Sequence, residues 1–259
     1  LVRGRISQEL GLDSAGYFAA AWGITMTYVG FLLGAMGADY YPRLIEVIHD
    51  KVAAVQLMND QAQLGLAIIG PGLLLLIGLA PWVITLLYSA KFDPAVTLLQ
   101  WQTVGNVFKI ASTALGFSIV AAGKAKTFFL VELSFNIVFF GIVFVFMPHF
   151  GLEATAYAFV LGYLVHMSMV YLLARRTLDF HWQSLSVSLL ALHTSLGVAL
   201  LMLALMAPLA AAIASPLLAA ATGLFGLRIV LSKVGKHGRL PTRLYGIFAR
   251  LGWPIQSAV

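Results

Sequence analysis

Apolar runs of about twenty residues follow one another along nearly the whole of this sequence, and few folds are open to a chain so patterned. A helix rises about 1.5 Å per residue, so about 20 residues cross the ~30 Å hydrocarbon core of a bilayer. The runs at 14–39, 62–89, 94–122, 126–147, 152–174, 185–206 and 209–231 are predicted as helices. Backbone groups cannot stay unpaired in lipid, so only helices and closed barrels span it. Barrel strands alternate over about ten residues; these runs are longer and continuously apolar, which selects helices. The expected fold is all-α, a polytopic transmembrane bundle of about seven helices. Composition agrees: 61% of the 259 residues are hydrophobic and 10% charged, against about a quarter charged in soluble domains.

The net charge of +6 is not spread evenly. Arg43 and Lys51, then Lys124 and Lys126, then Arg175 and Arg176 fill alternate loops, and the tail adds Lys233, Lys236, Arg239, Arg243 and Arg250. The intervening loops hold only Lys91. Such a bias places the basic loops in the cytoplasm and argues against nucleic acid as a partner. Arg3 and Arg5 fall on the other side, as the end of an upstream helix would. The first residue is Leu and no signal-peptide pattern follows, so the chain reads as a fragment that starts partway through a longer protein.

Local signals mark the helix ends. Asp13-Ser14 is a cap for the first helix, Asp93-Pro94 opens the third, and Gly123 and Pro148 close the third and fourth. Pro71 and Pro81 fall inside the second, as tolerated kinks or as a hinge. Residues 44–61 mix polar and apolar positions, the pattern of a short surface helix. Gly30 and Gly34 form a GxxxG that suits close packing. The basic tail suits anionic lipid heads. Gly11-Leu12-Asp13-Ser14-Ala15-Gly16-Tyr17 is echoed by Gly151-Leu152-Glu153-Ala154-Thr155-Ala156-Tyr157, both opening helices on the predicted non-cytoplasmic side. Transporters are often built from repeats.

Chemistry concentrates in the third run. Gln102, Asn106, Lys109 and Thr113 follow i, i+4, i+7, i+11 spacing and share one helix face. Lys109 is about 15 residues in, roughly 22 Å deep, near the middle of a membrane. It reads as a cation lining a substrate cavity, or as a structural lysine paired with a polar neighbour. Asn136 and His166 count to a similar depth, and Glu132 lies one turn from Asn136. These four could line one polar path, although a lone Asn or His between helices is more often a packing hydrogen bond. Glu132 would carry a proton or counter Lys109. Arg43 is either a topological anchor or the guard of a cytoplasmic entrance for an anion. Enzyme signatures are absent: there is no phosphate loop, no H-E-x-x-H and no nucleophile elbow. With no cysteine and six scattered histidines, no metal or other cofactor is expected.

Leu99-Gln100-Trp101-Gln102, Gly105, Lys109, Leu115-Gly116-Phe117, Phe128 and Glu132 together carry a resemblance, as do Gly11, Ala15-Gly16-Tyr17, Ala20-Ala21-Trp22 and Tyr41-Pro42-Arg43-Leu44. Over about residues 1–174 the chain resembles the Wzx-type lipid-linked oligosaccharide flippases, with the O-antigen and enterobacterial common antigen translocases nearest. These belong to the multidrug/oligosaccharidyl-lipid/polysaccharide exporter superfamily. The resemblance implies the C-terminal lobe of a two-lobe, MATE-like transporter at 1–174, an additional helix pair at 175–231 and a basic cytoplasmic tail at 232–259. The first lobe and helix seven would be missing. It implies a multi-pass protein of the bacterial inner membrane that flips undecaprenyl-pyrophosphate-linked oligosaccharide for cell-surface polysaccharide assembly. Partners would be that lipid, membrane lipids and other polysaccharide-assembly membrane proteins. Lys109 would meet the pyrophosphate; Gln102, Asn106 and Asn136 would meet sugar hydroxyls. Asn106 departs from the pattern, standing where many relatives place an acid. Other readings are a cation-coupled multidrug exporter of the same superfamily, a membrane polymerase or ligase, which would need a larger non-cytoplasmic loop, and a scaffold, which would not need a polar stripe at mid-depth.

Overall fold

The computed structural model describes residues 1–234, 239–250 and 252–255, and among these the regular structure is entirely helical. The elements in order are α1 Val2–Ile24, a π-helix Thr25–Val29, α2 Gly30–Val47, α3 Lys51–Leu87, α4 Pro94–Ala121, α5 Ala125–Phe150, α6 Ala154–Leu178, α7 Ser184–Met206, α8 Pro208–Val234 and α9 Arg239–Arg250. Among the described residues, six helical stretches are long and apolar enough to cross a membrane. One of them, Ala125–Leu178, folds back at Gly151 into the α5–α6 hairpin, so the protein is a polytopic, multi-pass helical bundle. Gly151 adopts φ 56°, which L side chains rarely adopt, and this turns the chain. The facing pairs Phe150–Tyr157, Phe135–Tyr163 and Glu132–His166 step in opposite senses along the two helices, as an antiparallel hairpin requires.

Several helix ends differ from the sequence expectation. The first helix does not begin near Ser14. Helical residues run from Val2, broken by Gly11 at φ 87°, and the Ser14 hydroxyl donates to Leu10 O at 2.9 Å instead of capping. Val2 and Ile6 are buried against α5 near Phe139 and Val143. Pro94 is the first residue of α4, but Asp93 makes no side-chain cap. Gly123 closes α4 at φ 71°, whereas α5 continues two residues past Pro148. Residues 44–61 do not form a separate surface helix: 44–47 finish α2 and Lys51 begins the 37-residue α3. Asp50 caps α3, accepting from Val52 N at 3.0 Å and Ala53 N at 3.1 Å.

Asn59 of that stretch and Gln63 just beyond it are interior contacts. Asn59 Oδ1 accepts from Gln183 N and Ser186 Oγ, both at 2.8 Å, and its Nδ2 donates to His181 O at 3.1 Å. Gln63 Nε2 donates to Gln183 Oε1 and Ser186 Oγ, both at 2.9 Å. A satisfied buried network of this kind fixes position, and here it pins the start of α7 to α3. Beyond it, α7 runs parallel to α3 through His193 over Gly70 and Gly197 beside Ile77. The alternate basic loops meet at one end of the bundle. Lys51 pairs with Asp179 at 2.5 Å, and that hydrogen bond holds the Asp179 carboxyl below the usual carboxylate range. Tyr17, Tyr88, Phe92, Trp101 and Tyr157 gather in ring contacts at the opposite end. The two echoed segments share that end and a positive-φ glycine each, Gly11 and Gly151.

The prolines of α3 do not divide it, and for Pro81 the structure shows what replaces the lost hydrogen bond. Pro81 has no N–H, so the helix leaves Ile77 O without its donor. Gln100 of α4 supplies one, Nε2 to Ile77 O at 3.0 Å. Pro71 likewise frees Ala67 O, and α8 comes down on that carbonyl at Gly226, where a Cβ would stand 2.2 Å away. Gln100→Leu is expected to destabilise the protein by about 1–2 kcal/mol, the cost of a buried acceptor left unpaired. Pro81→Ala restores the N–H, so the double variant should recover most of that loss. Thermal unfolding of the two single variants and the double in detergent checks this; equal loss with and without Pro81 would exclude the substitution of one donor for the other.

Candidate functional site

The middle of α4 faces the α5–α6 hairpin across a cavity of about 140 Å³. Lys109, Thr113 and Gly116 enter it from α4, Phe128 and Glu132 from α5, and Tyr163 and His166 from α6. Residues four apart on one helix fall on one face, which is why Lys109 and Thr113 arrive together, as do Phe128 and Glu132. Glu132 Oε1 and His166 Nε2 are 3.2 Å apart. His166 is 6% exposed and Glu132 50%, so the carboxylate reaches the opening while the imidazole backs it from inside. His166 Nδ1 meets no protein partner.

Lys109 is half-buried, and its ammonium has two soft neighbours. Nζ donates to Met26 Sδ at 3.4 Å and stands 5.5 Å from the Tyr163 ring centroid. Both contacts are weak beside a full ion pair. The field of the Glu132 carboxylate also reaches it. The cavity therefore holds a cation short of strong partners, a carboxylate and an imidazole about midway along the helices. Such a site can take an anion on Lys109 and exchange a proton through the Glu132–His166 pair.

The structure brings together four of the residues singled out from the sequence, Lys109, Thr113, Glu132 and His166. Gln102 and Asn106 continue the same face of α4 but are fully buried in helix packing. Gln102 Oε1 accepts from Thr25 Oγ1 at 2.9 Å. Gln102 Nε2 and both amide atoms of Asn106 lack protein partners, each an expense of about 1–3 kcal/mol if left so. Asn136 does not reach the cavity. Phe135 and Tyr163 pack together at its level with tilted rings, 4.4 Å between centroids, while Asn136 is exposed and donates to Glu132 O at 2.9 Å within its own helix. Arg43 also stands apart, exposed on α2 in an i,i+4 pair with Asp39 at 3.1 Å. Sequence reasoning missed Tyr163, Phe117 and Ser112, which also line the cavity. Ser112 and Tyr163 lie three residues from Lys109 and His166, a spacing that could have suggested them. Met26 gave no signal, because its approach to Lys109 depends on the π-helix.

This arrangement can be compared with known proteins. The chain is similar to a lipid flippase. It is 22% identical over 179 residues to the Lipid III flippase of Escherichia coli (strain K12), and equally so to that of Shigella flexneri. The match covers 68% of this chain and 43% of each relative, so the chain spans less than half the length of the curated relatives it matches. No family model and no solved structure matches. The matched proteins are transporters, in keeping with a multi-pass membrane chain of the flippase kind.

Proposed function

We propose that this chain is the C-terminal lobe of a bacterial inner-membrane flippase that moves undecaprenyl-pyrophosphate-linked oligosaccharide between leaflets for O-antigen-like polysaccharide assembly. One observation carries the reading: Lys109, weakly partnered, faces a mid-depth cavity beside Glu132 and His166. An ammonium in a low-dielectric site attracts a pyrophosphate strongly, because water does little to screen the pair. The similarity to proteins named as lipid III flippases supports the same class of cargo. Passage would require this lobe to rock against another, by analogy with repeat-built transporters. The test is to reconstitute the complete protein with labelled lipid-linked oligosaccharide and follow exposure of the sugar on the opposite face. Protein-dependent movement supports the reading; no movement of several sugar lipids under a proton or sodium gradient refutes it.

A second reading has its own observation. Glu132 with Phe117, Phe128 and Tyr163 around it would suit an organic cation, as in a cation-coupled drug exporter, and Lys109 argues against that. Glu132→Gln separates its two possible duties. If Glu132 carries a coupling proton, the variant keeps binding cargo but loses its response to a proton gradient. If it only counters Lys109, the variant keeps that response and binds the anionic lipid about fivefold tighter, the effect of removing a repulsion of about 1 kcal/mol. An unchanged gradient response and unchanged affinity would remove Glu132 from the site.

A further inference from the structure

The polar face of α4 is longer than the cavity that uses it. Thr113 and Lys109 line the cavity, but Asn106 and Gln102 continue the same face and are wholly buried. Helix packing gives these two amides little to do. Gln102 bonds to Thr25 through its carbonyl alone, and Asn106 has no protein partner at either amide atom. Buried polar groups are nearly always paired, because desolvating an amide without a partner is costly. A leucine at either position would pack without that cost. Two such amides in succession, adjoining a cavity, are therefore groups waiting for a hydrogen-bonding guest.

The segment that covers them is unusual in its own right. Thr25–Val29 is π-helical, between α1 and α2. Single π turns inside α-helices are rare and occur often at functional sites, where they loosen the regular i to i−4 ladder. This one lies across α4, touching it on both sides of Asn106. Thr25 Oγ1 meets Gln102 at 2.9 Å, and Met26 Sδ meets Lys109 at 3.4 Å. The π segment thus meets the polar face at Gln102 and at Lys109, on either side of Asn106.

We propose that Gln102 and Asn106 form a hydroxyl-binding subsite for the uncharged, sugar part of a cargo whose anionic part meets Lys109, and that the π-helical segment is a door over this subsite, latched by the Thr25–Gln102 hydrogen bond. The proposal rests on the cargo reading given above. Each amide offers two donors and an acceptor, a good match to neighbouring hydroxyls of a sugar ring. The Thr25 hydroxyl occupies the Gln102 carbonyl as a sugar hydroxyl would. Exchange of one for the other replaces like with like, so the door opens without leaving Gln102 worse satisfied. The π turn supplies the compliance, and the weak Met26 contact at Lys109 is released in the same movement.

The sequence has no cysteine, so one introduced thiol reports cleanly in a complete protein otherwise freed of cysteine. Asn106→Cys is placed in that background in proteoliposomes and reacted with a small water-soluble thiol reagent. Labelling should be slow, should rise about fivefold when Thr25→Val removes the one latching hydrogen bond, and should stay slow with Thr25→Ser, which keeps the hydroxyl. Undecaprenyl-pyrophosphate-linked oligosaccharide should suppress the labelling of the Thr25→Val protein, and undecaprenyl pyrophosphate without sugar should not. Labelling that ignores Thr25→Val overturns the door, and equal protection by the two lipids overturns the subsite. Transport of the sugar lipid by the cysteine-free protein, followed in the same vesicles, tests the cargo reading separately. Transport with unresponsive labelling leaves that reading standing and removes the inference, whereas absence of both transport and protection refutes the cargo reading and the sugar subsite with it.

Discussion

Lys109→Ala is expected to lower flipping of the lipid-linked oligosaccharide by about a hundredfold or more, the scale on which losing a preorganised charge from a low-dielectric site is felt, with normal insertion and yield. The lysine gives little to stability, since its ammonium meets only a thioether at 3.4 Å and a ring face at 5.5 Å. Its removal also relieves the cost of holding a charge away from water. What it loses is the cation facing the cavity. Lys109→Arg keeps the charge but replaces a compact ammonium by a planar fork, and should retain part of the rate. The flipping assay in vesicles, with protein quantified in the same membranes, measures both. Normal flipping by a well-inserted Lys109→Ala protein would remove this residue from the transport path.

Gly226→Leu is expected to have the largest effect on stability, about 3 kcal/mol or more, at the upper end of overpacking costs. A Cβ at this position would stand 2.2 Å from Ala67 O and 3.0 Å from Ala67 C, which are backbone atoms and cannot swing aside. The contact lies where α8 runs antiparallel along α3, between the Lys233–Asp60 ion pair and the approach of Gly78 to Ser215. Forcing the helices apart there would also take Gly226 away from the carbonyl that Pro71 deprives of its helical donor. Gly223→Ala is the control, since the nearest atom to its Cβ would be Pro71 Cβ at an ordinary 3.8 Å. Thermal unfolding in detergent should show a large fall for Gly226→Leu and almost none for Gly223→Ala. Equal behaviour of the two would mean that α8 is free to shift on α3.

Much of the site was legible in the sequence because charge is rare in an apolar chain. Lys109, Glu132 and His166 stood out by depth, and the antiparallel turn at Gly151 brings α5 and α6 to the same level. Asn136 is one turn from Glu132 on the same helix, yet it stays outside, because at its level Phe135 and Tyr163 fill the space between α5 and α6; depth fixes height along a helix and not what packs there. Asn59 misled for a different reason. A polar residue in a stretch of mixed character reads as surface, and only the arrival of Gln183 and Ser186 from over a hundred positions later makes Asn59 interior.

The sequence by itself determined the solvent and the architecture. Repeated apolar runs of bilayer length demand helices, because lipid leaves no other way to pair the backbone, and the alternation of basic loops orders their ends. Tertiary structure decided which polar groups share a space. Past α1 the chain turns π-helical where it meets α4, which no periodicity announces, and so sets Thr25 against Gln102 and Met26 against Lys109. Pro71 and Pro81 are breakers in any reading of a single helix. Pro81 is tolerated in α3 because Gln100, on another helix, donates to the carbonyl it orphans, and at Pro71 the freed carbonyl is covered by the close approach of α8 at Gly226. Helix formation is a local bargain between neighbours in sequence; the pairing of a freed carbonyl or a buried amide is settled between helices, by how closely and at what rotation they pack.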